Sequence, residues 1–218
     1  MAWPNDRMRK PDLTGAYALD GADAIRTLYA DWATSYEANF AQSMDYRLPA
    51  EVAAAFMAAG GVKGPVLDIG AGTGLLAQAL RGLGFAGEID AVDLSAEMLA
   101  QAARKGLYRT LFEADITRPL PVGAQYSGMV SSGTFTHGHV GPEALIPLLQ
   151  SAAPGARVVL SVNQAVYERL GFGPALQALG PTLRDLTLTE VAIYGKAAQS
   201  ADPDRAADQA LIVSFRTR

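Results

Sequence analysis

Asp68 is followed by Gly70, Gly72 and Gly74, so that one short stretch combines a carboxylate with three spaced glycines. Glycine tolerates a positive φ, and its missing Cβ lets a ligand lie directly against the backbone. If a helix begins at this turn, its free amides and dipole favour an anionic group such as a carboxylate or phosphate. Asp68 has the opposite preference and attracts a cation such as an amino group, so a zwitterion satisfies both. A second carboxylate, Asp93, closes the next apolar run, where an acid can accept both hydroxyls of a ribose. A third, Asp115, is followed by Ile116. The chain has 2 histidines, His137 and His139, and both fall in the stretch SSGTFTHGHVG, which opens on Ser131 and Ser132. With an ordinary pKa near neutrality, His137 suits a general base on a hydroxyl or amine; a structural or substrate-facing histidine is the alternative. An H-x-H step also suits two metal ligands on a strand, but with no further histidine and 0 cysteines only carboxylates remain to complete the shell, and no metal is expected.

These groups need a parallel sheet to hold them. Val66, Leu67 and Ile69 form a short apolar run of the kind that makes a buried strand, and a helix over residues 75–82 follows the glycines. Further strands are expected at 88–92, 107–113 and 127–131, then within APGARVVLSV (153–162) after its turn at Pro154 and Gly155, with a hairpin of 186–194 and 210–215 completing the sheet. Ser95 is placed to cap the helix after Asp93. A helix is expected over 142–151, kinked or restarted at Pro147. Ahead of the sheet, Ile25, Leu28, Tyr29, Trp32 and Tyr36 recur at helical steps over 21–40, and a second helix starts near Pro49 and stops at Gly60 and Gly61. Residues 1–20 have no periodicity and read as a flexible arm, 21–61 as a helical cap, and 62–218 as the ligand-binding domain. The polar segment 196–208 would hang at the ligand edge if the sixth strand runs parallel to the others.

VLDIGAGTG (66–74), IDAVDLSAEML (89–99) and EADI (113–116) occur in this order, and together they resemble three motifs of the class I S-adenosylmethionine-dependent methyltransferases. The resemblance implies an α/β, Rossmann-like fold: a seven-stranded, mostly parallel sheet with an N-terminal helical cap. It implies methyl transfer from S-adenosyl-L-methionine, with S-adenosyl-L-homocysteine as product. On the matching positions, Asp68, Gly70, Ala71, Gly72, Thr73 and Gly74 would hold the methionine part and Asp93 the ribose. Leu94 and Met98 would flank the adenine, Asp115 would accept from its amino group, and Ile116 would cover its ring. Ser131, Ser132 and His137 would lie beside the departing methyl. Tyr29, Trp32 and Tyr36 would close over the methionine end, and Arg47 could hold the carboxylate or stand solvated. Within the superfamily, YADWATSYE (29–37) and SGTFTHGHVG (132–141) resemble the methyltransferase-like group related to the Williams-Beuren region gene product. Gly72, Gly74, Ala77 and Asp93 also satisfy a looser dinucleotide fingerprint, so a nicotinamide-nucleotide oxidoreductase stays open, as does a binding protein without catalysis. Asp68 and EADI favour adenosylmethionine.

Composition narrows the partners. A chain of 218 residues that is 50% hydrophobic can bury one sizeable core. The net charge of −4 leaves no basic footprint for a phosphate backbone, so no nucleic acid is expected. The absence of cysteine removes disulfides, thiolate metal sites and thiol catalysis together. No apolar run follows Arg7, Arg9 and Lys10 to form a signal core or a membrane span, so a cytoplasmic protein without membrane attachment is expected. A small-molecule acceptor, methylated on oxygen or nitrogen, follows as the expectation; the oligomeric state is open.

Overall fold

The computed structural model describes Ala41 and residues 44–218, apart from Gly61, Lys63, Ala124 and Asp204. Seven strands form one sheet: β1 (Val66–Ile69), β2 (Ile89–Asp93), β3 (Thr110–Glu113), β4 (Tyr126–Phe135), β5 (Ala152–Asn163), β6 (Leu183–Ala192) and β7 (Gln209–Thr217). Their order is β3-β2-β1-β4-β5-β7-β6. The first five strands run parallel, and β7 is antiparallel to both β5 and β6, so β6 runs the same way as the first five. The sheet is therefore mostly parallel, as expected. The chain steps outward from β1 to β3, then returns to place β4 on the other side of β1. That reversal opens a crevice beyond the carboxyl ends of β1 and β4, where open sheets of this kind bind ligands.

Alternating side chains build two apolar layers. Val66 joins Val52, Phe56, Leu76, Leu80 and Val130 on one face. Leu67 and Ile69 join Met129, Leu145, Phe172 and Phe215 on the other. The first face is covered by α1 (Leu48–Ala58), α2 (Leu75–Gly82) and α3 (Ala96–Arg104). The second carries α4 (Leu145–Leu149), α5 (Gln164–Arg169) and α6 (Phe172–Leu179). A short α7 (Ala198–Ala201) follows β6. Val52 and Phe56 of α1 are fully buried against the sheet. The helix grouped by sequence with a cap over 21–61 thus packs in the core of the domain itself.

Local chemistry sets the element ends. Ser95 caps α3, its hydroxyl accepting from the Met98 amide at 3.2 Å. Asn163 caps α5 by accepting from the Ala165 and Val166 amides. Some bounds differ from expectation. The third strand starts at Thr110 because Tyr108 turns inward to Asp68 while Arg109 reaches the buried Asp90. The fourth strand continues past Ser131 to Phe135 across an irregular register, held by Thr134 donating to the Ile69 carbonyl at 3.0 Å. The helix expected over 142–151 is a 3-10 turn at Pro142–Ala144 followed by only five residues of α4. The sixth strand spans 183–192 rather than 186–194, with a bulge between Arg184 and Thr187.

Candidate functional site

A cavity of about 420 Å³ opens at the crevice. Asp68, Gly70, Ala71, Gly72 and Thr73 line it from the β1–α2 turn. Asp93, Leu94 and Met98 follow from β2 and α3, Asp115 and Ile116 from the end of β3, and Ser132 from β4. The three motifs, whose acids lie 22 to 47 residues apart in the chain, thus meet around one space because their strands are adjacent.

Other candidates stand elsewhere. Gly74 is behind the wall as the left-handed residue that starts α2, packed against Tyr108. Ser131 is fully buried, its hydroxyl donating to the Ile69 carbonyl at 2.8 Å, so it ties β4 to β1 instead of facing a ligand. Arg47 is half exposed and pairs with Glu51 at 2.8 Å, one helical turn away; its neighbour Tyr46 lines the cavity instead. His137 is off the lining, while Gly138 and His139 are on it. Tyr29, Trp32 and Tyr36 lie outside the described residues. Sequence reasoning also gave no site role to Thr134, Glu143 and Arg169, which line the cavity, or to Tyr108, which touches Asp68.

Asp68 is buried, Asp93 and Asp115 are partly buried, and all three are held by hydrogen bonds. Asp68 is 1% exposed, and its carboxyl is pushed up to about 7. Burial is the main cause and the negative Asp93 adds to it, against the opposing pull of the Tyr108 hydroxyl, which donates to Oδ2 at 2.6 Å. Burial and the adjacent Asp68 carboxylate hold Tyr108 protonated far above the ordinary phenol range, so it remains a donor. Asp93 is also raised by burial, opposed by backbone amides: Ser95 donates to Oδ1 at 2.9 Å and Gly72 to Oδ2 at 2.7 Å. Asp93 therefore fastens the glycine turn to the end of β2. Asp115 accepts from the Thr117 amide at 2.9 Å and from its hydroxyl at 2.7 Å.

Two hydroxyls on the lining, Thr73 Oγ1 and Ser132 Oγ, are buried without a hydrogen-bond partner among the described residues. Buried hydroxyls are ordinarily paired, and these two sit where a polar ligand would pair them. A Cβ added at Gly72 would meet nothing within 4 Å, so that backbone is open to the cavity. Together with three carboxylates spread along one wall, these features fit a nucleoside that carries an amino acid, such as S-adenosylmethionine: Asp68 could take its ammonium, Asp93 its ribose and Asp115 its adenine amino group. Among the described residues no group of three or more His, Cys, Asp or Glu could hold a metal ion.

Residues 66–155 match the family model described as a methyltransferase domain. This is a class I methyltransferase domain. Human methyltransferase-like protein 27 is 33% identical to the chain over 158 residues, covering 69% of this chain and 62% of that protein. The chain thus spans somewhat under two thirds of the curated relative it matches. Among solved structures, a DhpI complex with SAH superposes with a TM-score of 0.62 at 21% identity, over 90% of this chain and 96% of that one. A TehB-like SAM-dependent methyltransferase from Corynebacterium glutamicum gives 0.60 at 16% identity, over 88% and 99%. At these identities the superpositions establish the shared fold. The methyltransferase domain has no helix long and apolar enough to cross a membrane among its described residues.

One substitution isolates a member of the wall. Asp93→Ala in the methyltransferase domain removes a carboxylate from the cavity wall and also strands the Gly72 and Ser95 amides. The expected loss of S-adenosylhomocysteine affinity is on the order of 1–3 kcal/mol, accompanied by a lowered Tm. Unchanged affinity in a calorimetric titration would remove Asp93 from the site.

Proposed function

We propose that the chain is an S-adenosylmethionine-dependent methyltransferase acting on an oxygen or nitrogen of a small-molecule acceptor. The observation that carries the reading is Asp68, a carboxyl only 1% exposed that accepts from the Tyr108 hydroxyl and stands on the wall beside the open backbone of Gly72. Such an acid costs the ligand-free protein stability and gains most from a cation placed against it. Bound S-adenosylmethionine would supply a methyl group already activated by its positive sulfur. The protein's own work is then positioning: Asp68 and the glycine turn orient the methionine part, Asp93 and Asp115 fix the nucleoside, and the surrounding apolar wall excludes water. The acceptor proton must still leave, and the loop carrying His137 and His139 borders the cavity for that purpose. A bounded cavity on an acidic chain supports a small acceptor over a polymer.

Parallel calorimetric titrations with S-adenosylmethionine, S-adenosylhomocysteine and NADH test the reading. Saturable binding of the first two with silence from NADH is the expected result. Binding of NADH alone would overturn it in favour of a nicotinamide-nucleotide enzyme.

A further inference from the structure

Register sets three arginines side by side. Arg157 on β5 is opposite Arg216 on β7, and Arg216 is opposite Arg184 on β6. Directly opposed residues on neighbouring strands project from the same face, about 5 Å apart, so the three make one row across the sheet. Like charges placed this way destabilise a sheet unless acids stand between them. Arg109 has Asp90 and Glu88 for that purpose, and Arg47 has Glu51. Among the described residues no carboxylate comes within ion-pair distance of any guanidinium in the row.

The row is also short of hydrogen bonds. Arg157 is only 8% exposed, yet its Nε is buried without a partner, and its Nη2 donates only to the Ala59 carbonyl at 3.4 Å. Arg216 donates to the Gly155 carbonyl, again at 3.4 Å, a length at which such a bond is weak. Buried donors on a charged group are ordinarily filled. Burial and the Arg216 cation both hold the Arg157 guanidinium below its usual range, and Asp185 acts against them from beyond ion-pair distance. Ala59 ends α1, and the carbonyls at that end of a helix favour a cation. That accounts for Arg157 taken singly, but it gives no reason to set Arg216 and Arg184 beside it.

We propose that Arg157, Arg216 and Arg184 bind the phosphate group of a small molecule at a site separate from the cavity. Guanidinium forks match phosphate oxygens in pairs, and a dianion between neighbouring cations removes their repulsion. Arg184 is exposed on the edge strand and Arg216 is half-buried, so the row is open to solvent from that side, while Arg157 adds its charge from behind. The place in the sheet keeps the two sites apart. Arg157 pairs with Gly128, and Gly128 with Val66 at the start of β1, whereas the cavity opens beyond the other end of that strand. Three strands span about 10 Å, and the chain as a whole carries a charge of −4, which together suit one phosphate group over a polymer backbone. The site stands independently of the methyltransferase reading.

Thermal unfolding of the full chain in a phosphate-free buffer tests it. The probes are inorganic phosphate, glycerol 3-phosphate and a short oligonucleotide, each against sodium chloride at equal ionic strength. At about 10 mM, the first two are expected to raise Tm by roughly 2–4 °C more than chloride does. R216Q and R184Q should each lose most of that rise, yet melt no lower than wild type in chloride, because each removes a like charge from the row. In ¹⁵N spectra the Nε–H signals of Arg184 and Arg216, assigned by their loss in the two variants, should move saturably with phosphate. They should move equally when S-adenosylhomocysteine is present. A rise no larger than that of chloride, or the same rise in both variants, would overturn the site. Signals that stop responding once S-adenosylhomocysteine is bound would assign the phosphate to the cavity and overturn it too. Variants that melt far below wild type in chloride would make the row a structural tie, and stabilisation by the oligonucleotide alone would make it a polymer contact; either result rejects the proposal.

Discussion

Asp68→Asn is expected to make the ligand-free protein more stable and nearly unable to hold S-adenosylmethionine. The carboxyl titrates near 7 in the folded chain against an ordinary value of 3.8. Between those two values the folded state binds more protons than the unfolded one, so stability falls as pH rises across that window, and above about 7 the full cost is present. Asparagine keeps the shape and can still accept from Tyr108, but it carries no charge to bury. At pH 8 the substitution should therefore stabilise the free protein by on the order of 2–4 kcal/mol, which for a chain of this size is a rise in Tm of roughly 5–10 °C. Binding moves the other way. The ligand's ammonium would enter a buried position facing a neutral amide, a loss on the order of 3–5 kcal/mol. The pH dependence separates this account from a simple change of shape. Only the ionised carboxylate welcomes a cation, so wild-type affinity should rise towards tenfold per pH unit below 7 and level off above it, with a proton released on binding near pH 6. The variant's affinity should be flat through the same range. Calorimetry in buffers of different ionisation enthalpy measures that proton directly, and equal release from both proteins would show that Asp68 does not face the ligand's cation.

The parts of this site that a linear reading reveals are those whose partners lie within one motif. Asp68 and the three glycines fall within residues 68–74, and Asp93, Asp115 and the cap at Ser95 each end or follow a strand that periodicity marks. Parallel neighbours then gather them at one edge. Groups that depend on a fold-level approach could not be read this way. Tyr108 meets Asp68 across 40 residues of chain, from a turn that periodicity assigned to the third strand. Arg169 meets His137 across 32 residues of chain, an approach that no motif marks. Ser131 and Ser132 look equivalent in sequence, yet alternation along β4 turns the first into a link between strands and the second towards the cavity. Arg47 had an ordinary reason to be elsewhere: Glu51 is one helical turn away, and Tyr46 takes the wall.

Gly70 and Gly72 look interchangeable in the turn, yet their alanine variants should fail in different ways. Gly70 has φ 63, and an added Cβ would collide with the Thr134 side chain, coming within 2.9 Å of its Cγ2 as well as against its hydroxyl. Thr134 cannot step aside cheaply, because its hydroxyl donates to the Ile69 carbonyl at 3.0 Å and lies against the Ser131 hydroxyl at 2.9 Å. The left-handed backbone costs an alanine about 1–2 kcal/mol and overpacking about 1–3 more. Gly70→Ala should therefore lose a large fraction of a stability that is typically only about 5–15 kcal/mol, and should melt far below wild type. Gly72 has φ 54 with nothing within 4 Å of an added Cβ, so alanine there costs only the backbone preference. The new methyl nevertheless occupies the space in which a ligand would lie against the turn. Gly72→Ala should fold with a Tm a few degrees lower and bind S-adenosylhomocysteine at least about tenfold more weakly. Thermal unfolding and calorimetry on the two proteins give the comparison. A stable Gly70→Ala variant would mean that the β4 strand yields at Thr134, and full binding by Gly72→Ala would place the ligand away from the glycine turn.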